Sequence, residues 1–183
     1  MKDTKRLIFI IGSITMSAVL VLVLVLVVYY SRVYPFNYKE DILASAAQYH
    51  IRPEIVASVI NAESGYNKDA YSRAGAIGLM QILPSTGEYI AAVKNEQFSQ
   101  DMLWEAGTNI EFGCCYMRYL FDRFSDPYTA LAAYNAGEGT VRKWLKDLSL
   151  SDDGITLKHI PYEETRRYIE KIKAGEEVYK NKF

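Results

Sequence analysis

The chain has 183 residues, half of them hydrophobic, and its charges nearly cancel, with 21 Lys and Arg against 22 Asp and Glu. Because the balance is so close to neutral and no polybasic run occurs, we expect no nucleic-acid partner. The two cysteines and two histidines have no zinc-type spacing, and we find no phosphate-binding loop, internal repeat or low-complexity segment. The sequence therefore predicts a protein that uses no metal and no other cofactor.

The first predicted element is a membrane span. The run from Leu7 to Tyr30 has 24 residues without a charge and is rich in Leu, Val and Ile. As a helix it would rise about 36 Å, enough to cross a hydrocarbon core of about 30 Å. A cleaved signal peptide is the alternative, but its apolar region is shorter, and no small-residue cleavage pattern follows this run. We therefore predict an uncleaved transmembrane signal anchor at residues 7–30.

The charges before this run predict its orientation. Lys2, Lys5 and Arg6 precede it and are offset only by Asp3. Since positive charge collects on the cytoplasmic side of membrane helices, residues 1–6 should form a cytoplasmic tail. The sequence predicts a single-pass protein of the cell membrane, with its N-terminus in the cytoplasm and the rest of the chain outside.

After the span we predict a single helical domain. A linker, residues 31–37, would lead into residues 38–183, which are enough for one domain with a hydrophobic core. Pro53 and Pro84 suit the first turns of helices. No segment shows the sustained alternation of apolar and polar residues that is typical of a strand. The predicted fold class is all-α, preceded by one N-terminal transmembrane helix.

Glu63 lies at the end of a predicted apolar helix that begins at Pro53. It follows four residues after Val59 and three after Ile60, so helical geometry places its carboxylate on the buried face. The helix should stop at Gly65. A carboxyl that loses hydration has a raised pKa and stays protonated near neutral pH, as a general acid must. A helix-end glutamate that turns to solvent or caps a backbone amide is the alternative, and spacing alone does not separate the two.

Two adjacent cysteines, Cys114 and Cys115, lie on a helix predicted over about residues 108–124. Cys114 falls on the apolar face and Cys115 beside it. Neighbouring side chains on a helix point about 100° apart, which disfavours a disulfide between them. We therefore predict two free thiols.

Three blocks after the span combine small, amide and aromatic residues in a distinctive order. Residues 63–86 contain Glu-Ser, Gly-Ala-Ile-Gly-Leu-Met-Gln and Pro-Ser-Thr, residues 132–137 read Ala-Ala-Tyr-Asn-Ala-Gly, and residues 160–169 read Ile-Pro-Tyr-Glu-Glu-Thr-Arg-Arg-Tyr-Ile. These blocks resemble the signature of the soluble, goose-lysozyme-like lytic transglycosylases, glycoside hydrolase family 23. The resemblance covers about residues 38–172.

The resemblance implies a lysozyme-like fold and a peptidoglycan substrate. The family cleaves the β-1,4 bond between N-acetylmuramic acid and N-acetylglucosamine without water and closes a 1,6-anhydro ring on the muramic acid. It would make Glu63 the catalytic acid. The positions that match substrate-binding residues of the family are Ser72, Met80, Gln81, Tyr134, Asn135, Glu164 and Tyr168. For Met80, a role as core filler is an equal alternative.

Ordinary glycosidases need a second carboxylate, and the segment around Glu63 offers no matching one. Asp69 and Glu138 lie in predicted turns, where exposed loop charges are common. A transglycosylase needs one acid only, because the substrate supplies its own nucleophile. Two alternatives stay open: a lysozyme-like muramidase that uses water, and a catalytically silent wall-binding or scaffold protein.

The expected partners follow from the anchor and the resemblance. They are peptidoglycan glycan strands and the cytoplasmic membrane, with no nucleic acid. A partner from cell-wall or secretion machinery is compatible with the same sequence, which does not distinguish general wall turnover from a specialised process.

Overall fold

The computed structural model describes residues 2–183, and before Phe9 it describes the side chain of Arg6 only. The charges of Lys2, Asp3 and Lys5, on which the predicted orientation depends, lie outside the described side chains. The chain divides into two compact units, one up to Pro35 and one from Phe36 to Phe183.

The first unit is a single helix, α1 (Lys2–Val33). Its segment Phe9–Val33 is long and apolar enough to cross a membrane by length and composition, and it is the one such helix in the described part of the chain. Its large apolar side chains are exposed to their surroundings, as a lipid-facing helix requires. The helix extends three residues past Tyr30, into the segment predicted to be a linker.

The second unit consists of seven α-helices and a short 3₁₀ turn. The helices are α2 (Lys39–Gln48), α3 (Pro53–Ser64), α4 (Pro84–Val93), α5 (Ala106–Phe121), α6 (Pro127–Ala136), α7 (Glu138–Trp144) and α8 (Glu163–Tyr179), and the 3₁₀ turn is Gln100–Trp104. Across residues 2–183 the only β structure is two isolated bridges, which pair Ile77 with Tyr71 and with Ile82. The all-α prediction is confirmed.

Prolines start three of these helices. Pro53, Pro84 and Pro127 occupy the first turns of α3, α4 and α6, where a missing N–H costs nothing. The start of α6 is also capped, because the carboxylate of Asp126 accepts a 2.7 Å hydrogen bond from the backbone N–H of Thr129.

Helix α3 runs through the middle of the core and determines where Glu63 lies. Residues 55–60 are all buried, so this helix is covered on every side. It packs closely against α8, since a Cβ on Gly175 would lie 2.9 Å from Oγ of Ser58. The helix ends as predicted at Gly65, whose φ of 60° suits glycine.

The two cysteines are free, as predicted. Cys114 is fully buried in α5 and Cys115 is partly buried beside it. Burial raises the pKa of the Cys114 thiol, which keeps it protonated and unreactive. Cys114 therefore acts in packing.

Candidate active site

A cleft of about 1200 Å³ opens beside the C-terminal end of α3. We call it the main cleft. Its walls come from α8, from the end of α6 and from residues 65–83, which we call the glycine loop. Seven of the eight predicted site residues line it, and these are Glu63, Ser72, Gln81, Tyr134, Asn135, Glu164 and Tyr168. Segments that are far apart in the chain thus meet at one surface.

Met80 is the predicted site residue that does not reach this surface. Its side chain is fully buried and lies against α5, where a Cβ on Gly113 would be 2.2 Å from the Met80 sulfur. Its backbone is linked to the cleft through Tyr134, whose hydroxyl donates a 2.8 Å hydrogen bond to the Met80 carbonyl. The core interpretation of this side chain is the one that the structure supports.

Glu63 stands in the last turn of α3 with its side chain partly buried in the main cleft. Burial raises the pKa of Glu63 from the usual 4.5 to about 7. The Tyr168 hydroxyl opposes this rise, the negative charge of Glu164 adds to it, and the positive charge of Lys171 reduces it. Near neutral pH this carboxyl can therefore both give and take a proton.

Tyr168 faces Glu63 from α8. Its side chain is 6% exposed, and its hydroxyl makes no hydrogen bond of standard geometry with the described residues, although it is near enough to Glu63 to affect that pKa. Burial raises the pKa of Tyr168 well above its usual range, so the hydroxyl stays a proton donor. An unsatisfied buried hydroxyl beside an acid is poised to bond the ionised carboxylate or a bound ligand.

Tyr134 and Asn135 end α6 and join three elements of the site. Burial raises the pKa of Tyr134 well above its usual range, so this neutral phenol donates its bond to the glycine loop. The side-chain oxygen of Asn135 accepts a 2.8 Å hydrogen bond from the hydroxyl of Thr165 on α8. These bonds link α6 to the other two walls of the main cleft, the glycine loop and α8.

The side chains of Ser72 and Gln81 stabilise the glycine loop through hydrogen bonds to its backbone. Oγ of Ser72 accepts a 3.0 Å bond from the backbone N–H of Ala76. The side-chain amide of Gln81 donates to the carbonyl oxygens of Gly78 at 2.9 Å and Ala70 at 3.3 Å, and Gln81 has a positive φ of 50°. Both residues thus line the main cleft and also shape its wall.

Asn109 of α5 anchors the glycine loop through hydrogen bonds to its backbone, a role that was not among those predicted. Its side-chain oxygen accepts a 2.8 Å bond from the N–H of Met80, and its Nδ2 donates to the Ile77 carbonyl at 2.9 Å. Gly78 passes so close, with φ +78°, that a Cβ there would lie 2.3 Å from this Nδ2. A single amide in a helix does not indicate its partners, so this role had no signal in the sequence.

A second cavity of about 310 Å³ adjoins the main cleft and shares Gln81, Leu83, Tyr134 and Asn135 with it. We call it the side cavity. Tyr116 of α5 adds an aromatic wall, with its ring centroid 5.4 Å from that of Tyr134. Aromatic faces and amide groups together suit the apolar and polar faces of a sugar ring.

Three cations in the main cleft were not among the predicted site residues. Arg73 comes from the glycine loop, and Arg167 and Lys171 come from α8. The described residues contain no group of three or more side chains suited to hold a metal ion.

Comparison with known proteins identifies the family to which the chain belongs. The model of the transglycosylase SLT domain matches residues 40–153. The chain is 30% identical over 152 residues to the soluble lytic murein transglycosylase of Salmonella typhimurium, covering 81% of this chain and 24% of that protein. It is 28% identical over 160 residues to the membrane-bound lytic murein transglycosylase C of Yersinia pestis, covering 74% of this chain and 44% of the relative. The chain thus spans about a quarter of the length of the soluble relative.

Solved structures agree with this assignment. An inactive mutant of lytic transglycosylase Slt from Pseudomonas aeruginosa superimposes with a TM-score of 0.74 at 27% identity, covering 84% of this chain and 25% of that one. The 70-kDa soluble lytic transglycosylase has been solved in complex with bulgecin A, and it superimposes with a TM-score of 0.71 at 28% identity, covering 81% of this chain and 25% of that one. The lysozyme-like fold expected from the three blocks is therefore confirmed. The chain belongs to the transglycosylase SLT domain family.

Proposed function

We propose that this protein is a membrane-anchored peptidoglycan lytic transglycosylase. It cleaves the β-1,4 bond between N-acetylmuramic acid and N-acetylglucosamine and leaves a 1,6-anhydro-muramic acid end. The observation that carries the proposal is Glu63, a carboxyl with a pKa of about 7 inside a cleft large enough for several sugar rings. Family membership and the names of the relatives support the same activity.

In the proposed mechanism Glu63 acts twice. Protonated, it donates its proton to the glycosidic oxygen as the bond to C1 of the muramic acid breaks. The acetamido group of the substrate stabilises the positive charge that develops at C1. The ionised Glu63 then takes the proton of the C6 hydroxyl as that oxygen attacks C1, which closes the anhydro ring and restores the acid. No water is consumed, and the intramolecular attack has the advantage of proximity.

The other carboxylates of the main cleft bear on the muramidase alternative. Glu163 is paired with Arg166 and with Arg167, whose Nε lies 2.7 Å from Glu163 Oε1, and Arg166 above all lowers the pKa of Glu163, which makes it a weaker base. Glu164 is exposed at the rim of the cleft and influences Glu63 through its charge. A muramidase would need Glu164 to position a water, whereas a transglycosylase needs Glu63 alone.

The proposed location is the outer side of the cytoplasmic membrane. Helix α1 would serve as a single-pass anchor with the N-terminus in the cytoplasm, and residues 38–183 would form the catalytic domain outside. Peptidoglycan exists only on that side, so the anchor and the proposed substrate agree with each other.

Mass spectrometry of the muropeptides released from purified peptidoglycan tests the proposed reaction. The full chain in detergent should release products that carry 1,6-anhydro-muramic acid. Reducing-end products would instead make the protein a muramidase and would direct attention to Glu164. Binding without release would favour the scaffold alternative.

The pH dependence of cleavage should follow the titration of Glu63. Because the acid must be protonated in the free enzyme, kcat/KM should be constant well below pH 7 and fall about tenfold per pH unit well above it. Cleavage of solubilised glycan strands from about pH 5 to 9 measures this profile. Glu164→Gln should move the midpoint to lower pH, because it removes a negative charge that raises the pKa of Glu63. If the midpoint of the Glu164→Gln variant equalled that of the wild-type protein, the assignment of the profile to Glu63 would be contradicted.

Tyr168→Phe should lower cleavage by about tenfold without destabilising the protein. The lost hydroxyl has no hydrogen-bond partner of standard geometry among the described residues, so its removal should leave the melting temperature unchanged or higher. In the wild-type protein this hydroxyl lowers the pKa of Glu63, so the midpoint of the pH profile should be higher in the variant. Tyr134→Phe is the matched contrast, since it removes a bond to the Met80 carbonyl and should cost about 1 kcal/mol. Equal melting temperatures for the two variants would contradict this account.

A further inference from the structure

Charge is distributed unevenly between the two cavities. The side cavity has no charged side chain in its lining, which consists of apolar, aromatic, hydroxyl and amide groups from the described residues. The main cleft has five charged side chains around Glu63, the cations Arg73, Arg167 and Lys171 and the carboxylates Glu163 and Glu164. A ligand that extends through both cavities therefore meets charge on one side of Gln81 and Tyr134 only.

Two of the three cations are not held by ion pairs. Arg167 is bonded to Glu163, whereas Arg73 and Lys171 have no ion-pair partner in the part of the chain that the structure describes. Both are exposed, and they come from different walls of the cleft, the glycine loop and α8. The neighbouring Arg166, which does not line the cleft, is bonded to Glu163 and to Glu170, the latter at 2.8 Å.

Lys171 also lies in the part of the main cleft that contains Glu63. It follows Tyr168 by three residues and Glu164 by seven, so these side chains share one face of α8. All three line the main cleft, and the charge of Lys171 acts on Glu63. An anion bound by Lys171 would therefore be attached to the sugar at the cleavage point or next to it.

We propose that Arg73 and Lys171 bind carboxylates of the lactyl or peptide substituent of the muramic acid, and that they make the enzyme selective for strands that carry them. This inference rests on the proposed function. The sugar rings of such a strand are neutral, and its carboxylates belong to the lactyl group and the peptide linked through it. The neutral ring beyond the cleaved bond would then lie toward the side cavity. Ammonium and guanidinium groups without protein partners are suited to bind such carboxylates.

The test compares two substrates that differ only in these carboxylates. Glycan strands are first N-acetylated on their peptide amines, and one half is then converted to neutral methylamides with a carbodiimide. The full chain in detergent is assayed at about pH 5.5, where Glu63 is protonated whether or not Lys171 is charged. The wild-type protein should prefer the acidic strands about tenfold at low salt, and about 0.5 M salt should reduce that preference.

Lys171→Met and Arg73→Met should each reduce the preference about threefold, and the double variant should nearly abolish it. Lys171→Arg should retain it, because the charge is kept. Lys173→Met is the matched control on α8, since Lys173 lies over the ring of Tyr128 and does not line the cleft, and it should change neither rate. Equal losses on both substrates, or an unchanged preference, would overturn the inference. Failure of the wild-type protein to cleave either substrate would reject the proposed function and this inference with it.

Discussion

Glu63→Gln should reduce peptidoglycan cleavage by about 10³-fold or more while leaving the fold intact. Glutamine keeps the size and the hydrogen-bonding groups of the side chain but has no proton to donate to the glycosidic oxygen. The loss should be the same at every pH from about 5 to 6, where the wild-type acid is protonated and its rate does not change with pH. Release of anhydro-muropeptides, quantified by mass spectrometry, measures the effect.

The same substitution should stabilise the domain at neutral and alkaline pH. The folded protein holds the Glu63 proton up to about pH 7, whereas the unfolded chain releases it near 4.5. Between these values the folded state binds more protons, so the free energy of unfolding falls as pH rises through this window. A neutral amide at this position carries no such penalty, and the melting temperature of the variant should exceed that of the wild-type protein above about pH 7.

Glu164→Gln is the control for this result. It removes a carboxylate from the same cleft, but an exposed one, and cleavage of the bond should persist in the variant. If Glu63→Gln retained cleavage while Glu164→Gln lost it, the acid would have to be assigned to Glu164. A Glu63→Gln protein that lost both activity and stability would show that Glu63 supports the fold.

The sequence predicted the position of Glu63 because local rules determine it. The spacing of apolar residues predicted a helix that ends just after Glu63, and Gly65 predicted its end, as the structure confirms. Of the eight site residues predicted from the three blocks, seven line the same cleft. For Met80 the motif alone was misleading, since a family signature includes core residues as well as residues that touch the substrate.

Other parts of the site depend on contacts that no local pattern encodes. Asn109 lies about thirty positions from the glycine loop that it anchors, and a single amide in a helix gives no indication of its partners. Exposed cations such as Arg73 and Lys171 look like solvated surface in a sequence, and only the placement of the walls assigns them to the cleft. The pKa of Glu63 likewise depends on Tyr168, which lies on a different helix far along the chain.

Asn109→Ala should destabilise the second unit by about 3 kcal/mol or more. The asparagine is 1% exposed and satisfies three backbone groups, the N–H of Met80 and the carbonyls of Ile77 and Leu103. Alanine would leave all three without this partner, and burying an unsatisfied polar group costs about 1–3 kcal/mol. For a domain of this size the melting temperature should fall by roughly 10 °C.

Tryptophan fluorescence measures this effect in the full chain, because both tryptophans, Trp104 and Trp144, lie in the second unit. Asn181→Ala is the matched control, since this exposed amide makes one 3.4 Å bond to the carbonyl of Glu177 and its loss should be nearly neutral. At temperatures where Asn109→Ala remains folded, it should still cleave more slowly, because the loop that carries Ser72 and Gln81 has lost its anchor. A melting temperature close to that of the wild-type protein would mean that water or loop movement satisfies those backbone groups, and that the glycine loop is held by its own internal bonds.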